Sequence, residues 1–102
     1  MLESSFQADT IKMITRLLPG VLVLKNDSGY LQGVPDYSIF YGSAWAWLEF
    51  KRAADSPTQP NQPYYVQWAD LNSFGSFIYP ENRDAVLNDM FRFLRANAAK
   101  VV

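Results

Sequence analysis

Asp36, Glu49 and Lys51 interrupt the most hydrophobic run of the chain, GVPDYSIFYGSAWAWLEFK at 33–51. Charged side chains are rarely buried without a partner, so their place in this run asks for a chemical reason. Glu49 and Lys51 stand two apart and leave the same face of a strand. Counted from a turn at Gly42-Ser43, Asp36 lies about seven residues before the turn and Glu49 about six after it. The two carboxylates are then near neighbours across a hairpin. Adjacent carboxylates repel unless a proton or a cation sits between them. The sequence has no Cys and no His, which removes disulfides, thiolate zinc sites, Ser-His or Cys-His catalysis and His-ligated haem. A bound metal is therefore held by oxygen, which favours hard ions such as Mg, Ca or Mn. A lysine beside such a site neutralises charge, or holds a water or a phosphate oxygen. Taken singly, the motifs are ordinary: E-x-K is a common cross-strand charge pair, and Asp after Pro is common turn chemistry. The combination is more specific: G-x-P-D, a hydrophobic strand, a turn, a second hydrophobic strand, then E-x-K.

The elements that position these residues follow from periodicity. Phe6, Thr10, Met13, Ile14 and Leu17 keep a three-four spacing that predicts a helix over 4–18. Ser4 and Gln7 fit a capping box, and LPG at 18–20 is a stop. VLVLK (21–25) reads as a strand and NDSG (26–29) as a turn. DYSIFY (36–41) and WAWLEFKR (45–52) are paired strands around the Gly42-Ser43 turn. Period two puts Trp45, Trp47, Glu49 and Lys51 on one face and Ala46, Leu48, Phe50 and Arg52 on the other. A proline-rich loop, AADSPTQPNQP, leads to Pro63 in the first turn of a helix reaching Asn72. SFIY (76–79) is a fourth strand, and PENRDAVLNDMFRFLRANAAK a last helix with Val86, Met90, Phe93 and Leu94 as its buried stripe. The expected fold is α/β in the order α-β-β-β-α-β-α. Three strands form an antiparallel meander, and a crossover adds a parallel fourth, giving a mixed four-stranded sheet flanked by helices.

Composition sets outer bounds. The 102 residues suit one small domain over 1–102, and 49% hydrophobic with 16% aromatic content supports a true core. The formal net charge of −1 gives no global support for nucleic-acid binding. Beyond Asp89, however, the chain carries Arg92, Arg95 and Lys100 and no acid, and carboxylates that bind a cation cease to count as bare charge. No apolar run reaches the roughly 18 residues of a membrane span. MLESSFQADTIK lacks the basic start and apolar centre of a signal peptide. The expectation is a soluble, cytoplasmic protein with no membrane partner.

GVPD, twelve residues, then EFK resembles the PD-(D/E)XK nuclease superfamily, and in particular the small VRR-NUC-type domains that occur alone in phages and fused to larger repair nucleases. The resemblance runs from residue 3 to about 80 and includes an early helical acid (Glu3), LKNDSG before GVPD, and Gln62 eleven residues after Lys51. It implies a restriction-endonuclease-like core and a Mg2+-dependent endodeoxyribonuclease, with Mn2+ able to substitute. In that family the PD acid and the E-x-K acid bind the metal, which corresponds to Asp36 and Glu49, with the backbone carbonyl of Phe50 as a further ligand. Lys51 corresponds to the lysine that positions or activates the attacking water, by one metal or two. Glu3 corresponds to the first-helix acid that completes the metal site. It continues the stripe of Phe6, Thr10 and Met13, yet a cap at Ser4 would leave it outside the helix as a solvated acid. Gln62 matches the glutamine that lies by the site, with Gln59 and Gln67 as competitors. Lys25 and Arg52 are candidate phosphate contacts or plain solvated surface, as are Arg92 and Arg95. Tyr64 and Tyr65 are DNA-stacking candidates or core, and Trp45 and Trp47 are wall and packing residues. Small stand-alone relatives act as homodimers on branched DNA such as Holliday junctions, so DNA and a second copy are the implied partners, and a phage or prophage the implied source. Two other classes fit the same residues: a non-catalytic nucleic-acid-binding or assembly module, and an α/β protein whose charges form a structural ion pair.

Overall fold

The computed structural model describes residues 3–99. The side chain of Glu3, like Lys100, lies outside the described residues. The elements are α1 (Glu3–Leu17), β1 (Leu22–Lys25), β2 (Tyr37–Tyr41), β3 (Ala44–Phe50), α2 (Gln62–Asn72), β4 (Phe74–Ile78) and α3 (Arg83–Asn97). The strands form one sheet in the order β1-β2-β3-β4, antiparallel across the first two pairs and parallel across β3 and β4. This is the expected mixed sheet, with α2 as the crossover helix.

Alternation along the strands sends two residue sets to two faces. Ile39, Ala46, Leu48, Phe50 and Ile78 are buried with Phe6, Ile14 and Leu18 from α1 and Leu87, Met90 and Leu94 from α3. The opposite face carries Trp45 and Trp47. Trp68 of α2 packs on both, with ring centroids 5.9 and 5.7 Å away, and Tyr65 meets Trp47 edge-on at 6.4 Å. The hairpin turn needs Gly42, whose φ of +59° suits the first central position of a two-residue turn.

Several boundaries differ from the sequence reading. Helix α1 already includes Glu3 and Ser4, so Ser4 is a helical residue and not a cap. Strand β3 stops at Phe50, so Lys51 and Arg52 lie just past it. Strand β4 starts at Phe74 and runs through Gly75, two residues earlier than expected. The buried stripe of α3 is Leu87, Met90, Phe91 and Leu94, with Val86 and Phe93 only partly covered.

Thr10 is the one awkward member of the α1 stripe. It is fully buried, and its hydroxyl has no hydrogen-bond partner among the described residues. An unmet buried hydroxyl costs about 1–3 kcal/mol. Thr10→Val removes that cost while keeping the shape. It is expected to raise the melting temperature by roughly 4–8 °C per kcal/mol recovered, as read by a thermal melt; an unchanged or lower value contradicts it.

Candidate metal and phosphodiester site

The site forms where the β2–β3 ladder ends. The register pairs Tyr37 with Leu48; one step further places Asp36 opposite Glu49, and the next places Pro35 opposite Phe50. Pro35 is fully buried and has no N–H to give to a ladder. Asp36 takes over by side chain: the Phe50 N–H donates to Asp36 Oδ2 at 2.9 Å. In return the Asp36 N–H donates to Glu49 Oε1 at 3.1 Å. Each carboxylate is thus aimed by a backbone amide beside the other. Glu49 is only 4% exposed, on the sheet face that α2 covers. Its other oxygen, Oε2, accepts from Gln62 Nε2 at 2.7 Å. Hydrogen bonds to an ionised carboxylate are among the strong ones, which offsets part of the cost of burying it.

Gln62 opens α2, and its own Oε1 accepts from the Gln59 N–H at 2.7 Å. Of the three candidate glutamines, Gln62 therefore reaches the carboxylate, Gln59 orients it, and Gln67 is exposed on α2. Lys51 continues beside β4: its N–H donates to Ile78 O at 2.9 Å. Its ammonium donates to Ala54 O at 2.9 Å and lies 5.1 Å from the centre of the Phe77 ring. Phe77 pairs with Glu49 across β3 and β4, so Lys51 and Glu49 emerge at the same end of the sheet. A cleft of about 340 Å³ opens there, lined by Glu49, Phe50, Lys51, Arg52, Gln59 and Gln62.

The other candidates fall differently. Arg52 lines the cleft. Lys25 ends β1 opposite Tyr37, with its ammonium 6.0 Å from that ring. Tyr65 packs against Trp47 and Tyr64 and belongs to the aromatic layer under α2. Glu3 opens α1 on the helix that carries Phe6, which meets Phe50 edge-on at 5.6 Å; its side chain lies outside the described residues. Arg95 donates to Leu17 O at 3.2 Å on the α3 side of the molecule.

The donor set fits a hard divalent ion. Asp36 and Glu49 supply carboxylate oxygens. The Phe50 carbonyl leaves the strand on the same edge as its N–H, towards a proline that cannot donate to it. Among the described residues no group of three acidic side chains converges, and two carboxylates suffice for Mg2+, which keeps several of its waters.

A second set of residues was not singled out by sequence reasoning. Asn26 N–H donates to Asp36 O at 2.8 Å and its Nδ2 to Pro35 O at 2.9 Å. Its Oδ1 accepts from Ser38 Oγ, which in turn accepts from Trp47 Nε1, both at 2.9 Å. This chain ties the Pro35–Asp36 backbone to the layer under α2. Its only signals in the sequence are a serine inside YSIFY and an indole that needs an acceptor. Asn26→Ala leaves the Ser38 hydroxyl and the Pro35 carbonyl without that side chain. It is expected to cost about 1–3 kcal/mol, measured by urea melts, while an Asn26→Ala protein as stable as wild type would show the chain to be idle.

No family model matches this sequence, and no curated protein matches it either. Among solved structures, a VRR_NUC domain protein superposes with a TM-score of 0.66 over 91% of this chain and 90% of its own, at 14% identity. No described helix is long and apolar enough to cross a membrane. The chain shares its α/β fold, a mixed four-stranded sheet flanked by helices, with that VRR_NUC domain protein.

Proposed function

We propose that the protein is a divalent-metal-dependent DNA endonuclease that hydrolyses phosphodiester bonds in branched DNA such as Holliday junctions, acting as a homodimer. The observation that carries this reading is the reciprocal aiming of Asp36 and Glu49 by the Phe50 and Asp36 amides, next to Lys51. Neighbouring carboxylates, Glu49 buried and Asp36 half-buried, repel unless a proton or a cation lies between them. Asp36, Glu49 and the Phe50 carbonyl would hold Mg2+ or Mn2+, which when bound would supply a water of lowered pKa and charge stabilisation at the scissile phosphate.

The residues of this chain divide the remaining work. Gln62 keeps the Glu49 carboxylate turned toward the cleft. Lys51, released from Ala54, orients the attacking water or a phosphate oxygen, and Arg52 meets the backbone of the strand. The water oxygen attacks phosphorus in line with the bond to O3′. That bond breaks, leaving a 5′-phosphate and a 3′-hydroxyl.

What supports the dimer is an uncovered half of the sheet. Helix α2 packs over β3 and β4, while Leu22, Leu24 and Phe40 on the same face of β1 and β2 stay exposed. Tyr64, Trp68 and Leu71 form an exposed apolar stripe on α2 itself. A second copy can lay its stripe on this half-face, and the exchange is reciprocal.

The test incubates the protein with supercoiled plasmid, linear duplex, single strand and a four-way junction, each with Mg2+ or Mn2+. Cleavage of the junction, lost in Lys51→Ala, is expected. Equal inertness of wild type and variant on every substrate removes the reading, and a monomeric mass in light scattering removes the dimer.

A further inference from the structure

The loop at 26–34 carries a cleft that the hydrolysis does not use. It encloses about 400 Å³ and is lined by Asn26, Asp27, Tyr30, Leu31 and Val34. Tyr30 is 91% exposed, an unusual place for a ring whose burial would be favourable.

The loop beneath it is braced. Asp27 Oδ1 accepts from Gly29 N–H at 2.8 Å, and Asp27 O accepts from Tyr30 N–H at 3.1 Å. Val34 N–H donates to Leu31 O at 3.2 Å. Asn26, which lines the cleft, also clamps the Pro35–Asp36 backbone, so the wall of the cleft is tied to the residue that carries the Asp36 carboxylate. Gly33, with a φ of +88°, lies so close to Asn61 that a Cβ there would overlap it, and Asn61 Nδ2 donates to Gln32 O at 3.4 Å. Through this contact the loop abuts the segment that ends in Gln62.

The linings of the two clefts differ in kind. The catalytic cleft has Lys51 and Arg52 and suits phosphate. The second has an aromatic ring, two aliphatic side chains, an amide and a carboxylate, and no cation lines it. A carboxylate repels phosphate but accepts hydrogen bonds from the exocyclic amine of a base. An exposed ring offers a stacking face that every base can use. A base inside an intact duplex has no free face to offer.

We propose that the 26–34 loop is a nucleobase subsite, in which Tyr30 stacks an unpaired base of the strand whose phosphate lies at Asp36 and Glu49. This deepens the nuclease reading and rests on it, since it gives that site its preference for DNA with unpaired or splayed bases.

The test measures binding to a duplex with 2-aminopurine at one unpaired position and to the same duplex fully paired. The full-length protein is used without divalent metal, so that nothing is cut. Tighter binding of the unpaired probe by about ten-fold, the size of one base–aromatic stack, is expected, with quenched fluorescence. Tyr30→Ala should erase this preference and leave paired binding unchanged, and Tyr30→Trp should retain it. Unchanged preference in Tyr30→Ala overturns the subsite, as does an equal weakening on both probes. A protein that prefers the unpaired probe but cuts nothing with Mg2+ or Mn2+ defeats the nuclease reading alone. One that cuts while Tyr30→Ala behaves as wild type defeats the subsite alone. Absence of binding to both probes defeats the subsite, and the cleavage assay with Mg2+ or Mn2+ then decides the nuclease reading by itself.

Discussion

Glu49→Gln is expected to lower cleavage on the order of a thousand-fold and to abolish the stabilisation of the protein by Mg2+ or Mn2+. A catalytic metal typically contributes several kcal/mol to the transition state, and each 1.36 kcal/mol is a factor of about ten in rate. For the wild type, a metal at a hundred times its Kd adds about 2.7 kcal/mol of stability, a large upward shift in a thermal melt for a domain of this size. The variant also melts lower without metal, for a reason separate from charge. Glu49 accepts from both the Asp36 N–H and Gln62 Nε2, and an amide can match only one of these two donors. The mismatch costs about 1–3 kcal/mol. A paired variant separates the two effects. Glu49→Gln with Gln62→Glu restores the matches to the Asp36 N–H and between residues 49 and 62, because a carboxylate at 62 accepts from the amide at 49 and from Gln59 N–H. The double variant should recover stability and stay inactive, since the charge has left β3. Recovery of cleavage, or a metal-dependent melt in Glu49→Gln itself, would falsify the assignment of Glu49 as a ligand.

Gly75→Ala should be among the most damaging single-methyl changes in the fold. Gly75 is buried on β4 where α2 crosses. A Cβ there would run into the Val66 carbonyl and the Ala69 side chain, and would lie 2.9 Å from the Asp70 N. Most of these atoms are backbone, so the helix must move as a body. Overpacking of this kind costs about 1–3 kcal/mol and at times more, and we expect the upper end, a fall in melting temperature above about 10 °C. Gly75 N–H also donates to Asp70 Oδ1 at 3.3 Å, a contact the shift would lengthen. The first turn of α2 holds Gln62, so displacement of the helix should also lower cleavage in the fraction that stays folded. A Gly75→Ala protein with wild-type stability would mean that α2 does not sit this close to β4.

The same glycine shows why β4 was expected to start two residues late. Glycine is a poor strand former and reads as punctuation, so SFIY seemed to begin at Ser76. Its presence answers a demand from α2, which no local pattern reveals. The capping box at Ser4 and Gln7 failed in the opposite way: a local signature was present, but the helix begins earlier, at Glu3.

What the sequence determined by itself is the hairpin and the residues at its open end. A period of two, a turn at Gly42-Ser43 and the absence of His and Cys are local or compositional facts. They place Asp36 across from Glu49 and restrict any metal site to oxygen, whatever the rest of the chain does. The tertiary structure decided everything that depends on which distant segments meet. It selected Gln62 over Gln59 and Gln67 and linked Trp47 and Ser38 to Asn26. It also set the 26–34 loop against Asn61. Each of these is a contact between segments joined by loops, and loop length limits reach without dictating where a side chain points. The packing of α2 across the sheet fixes the direction of Gln62.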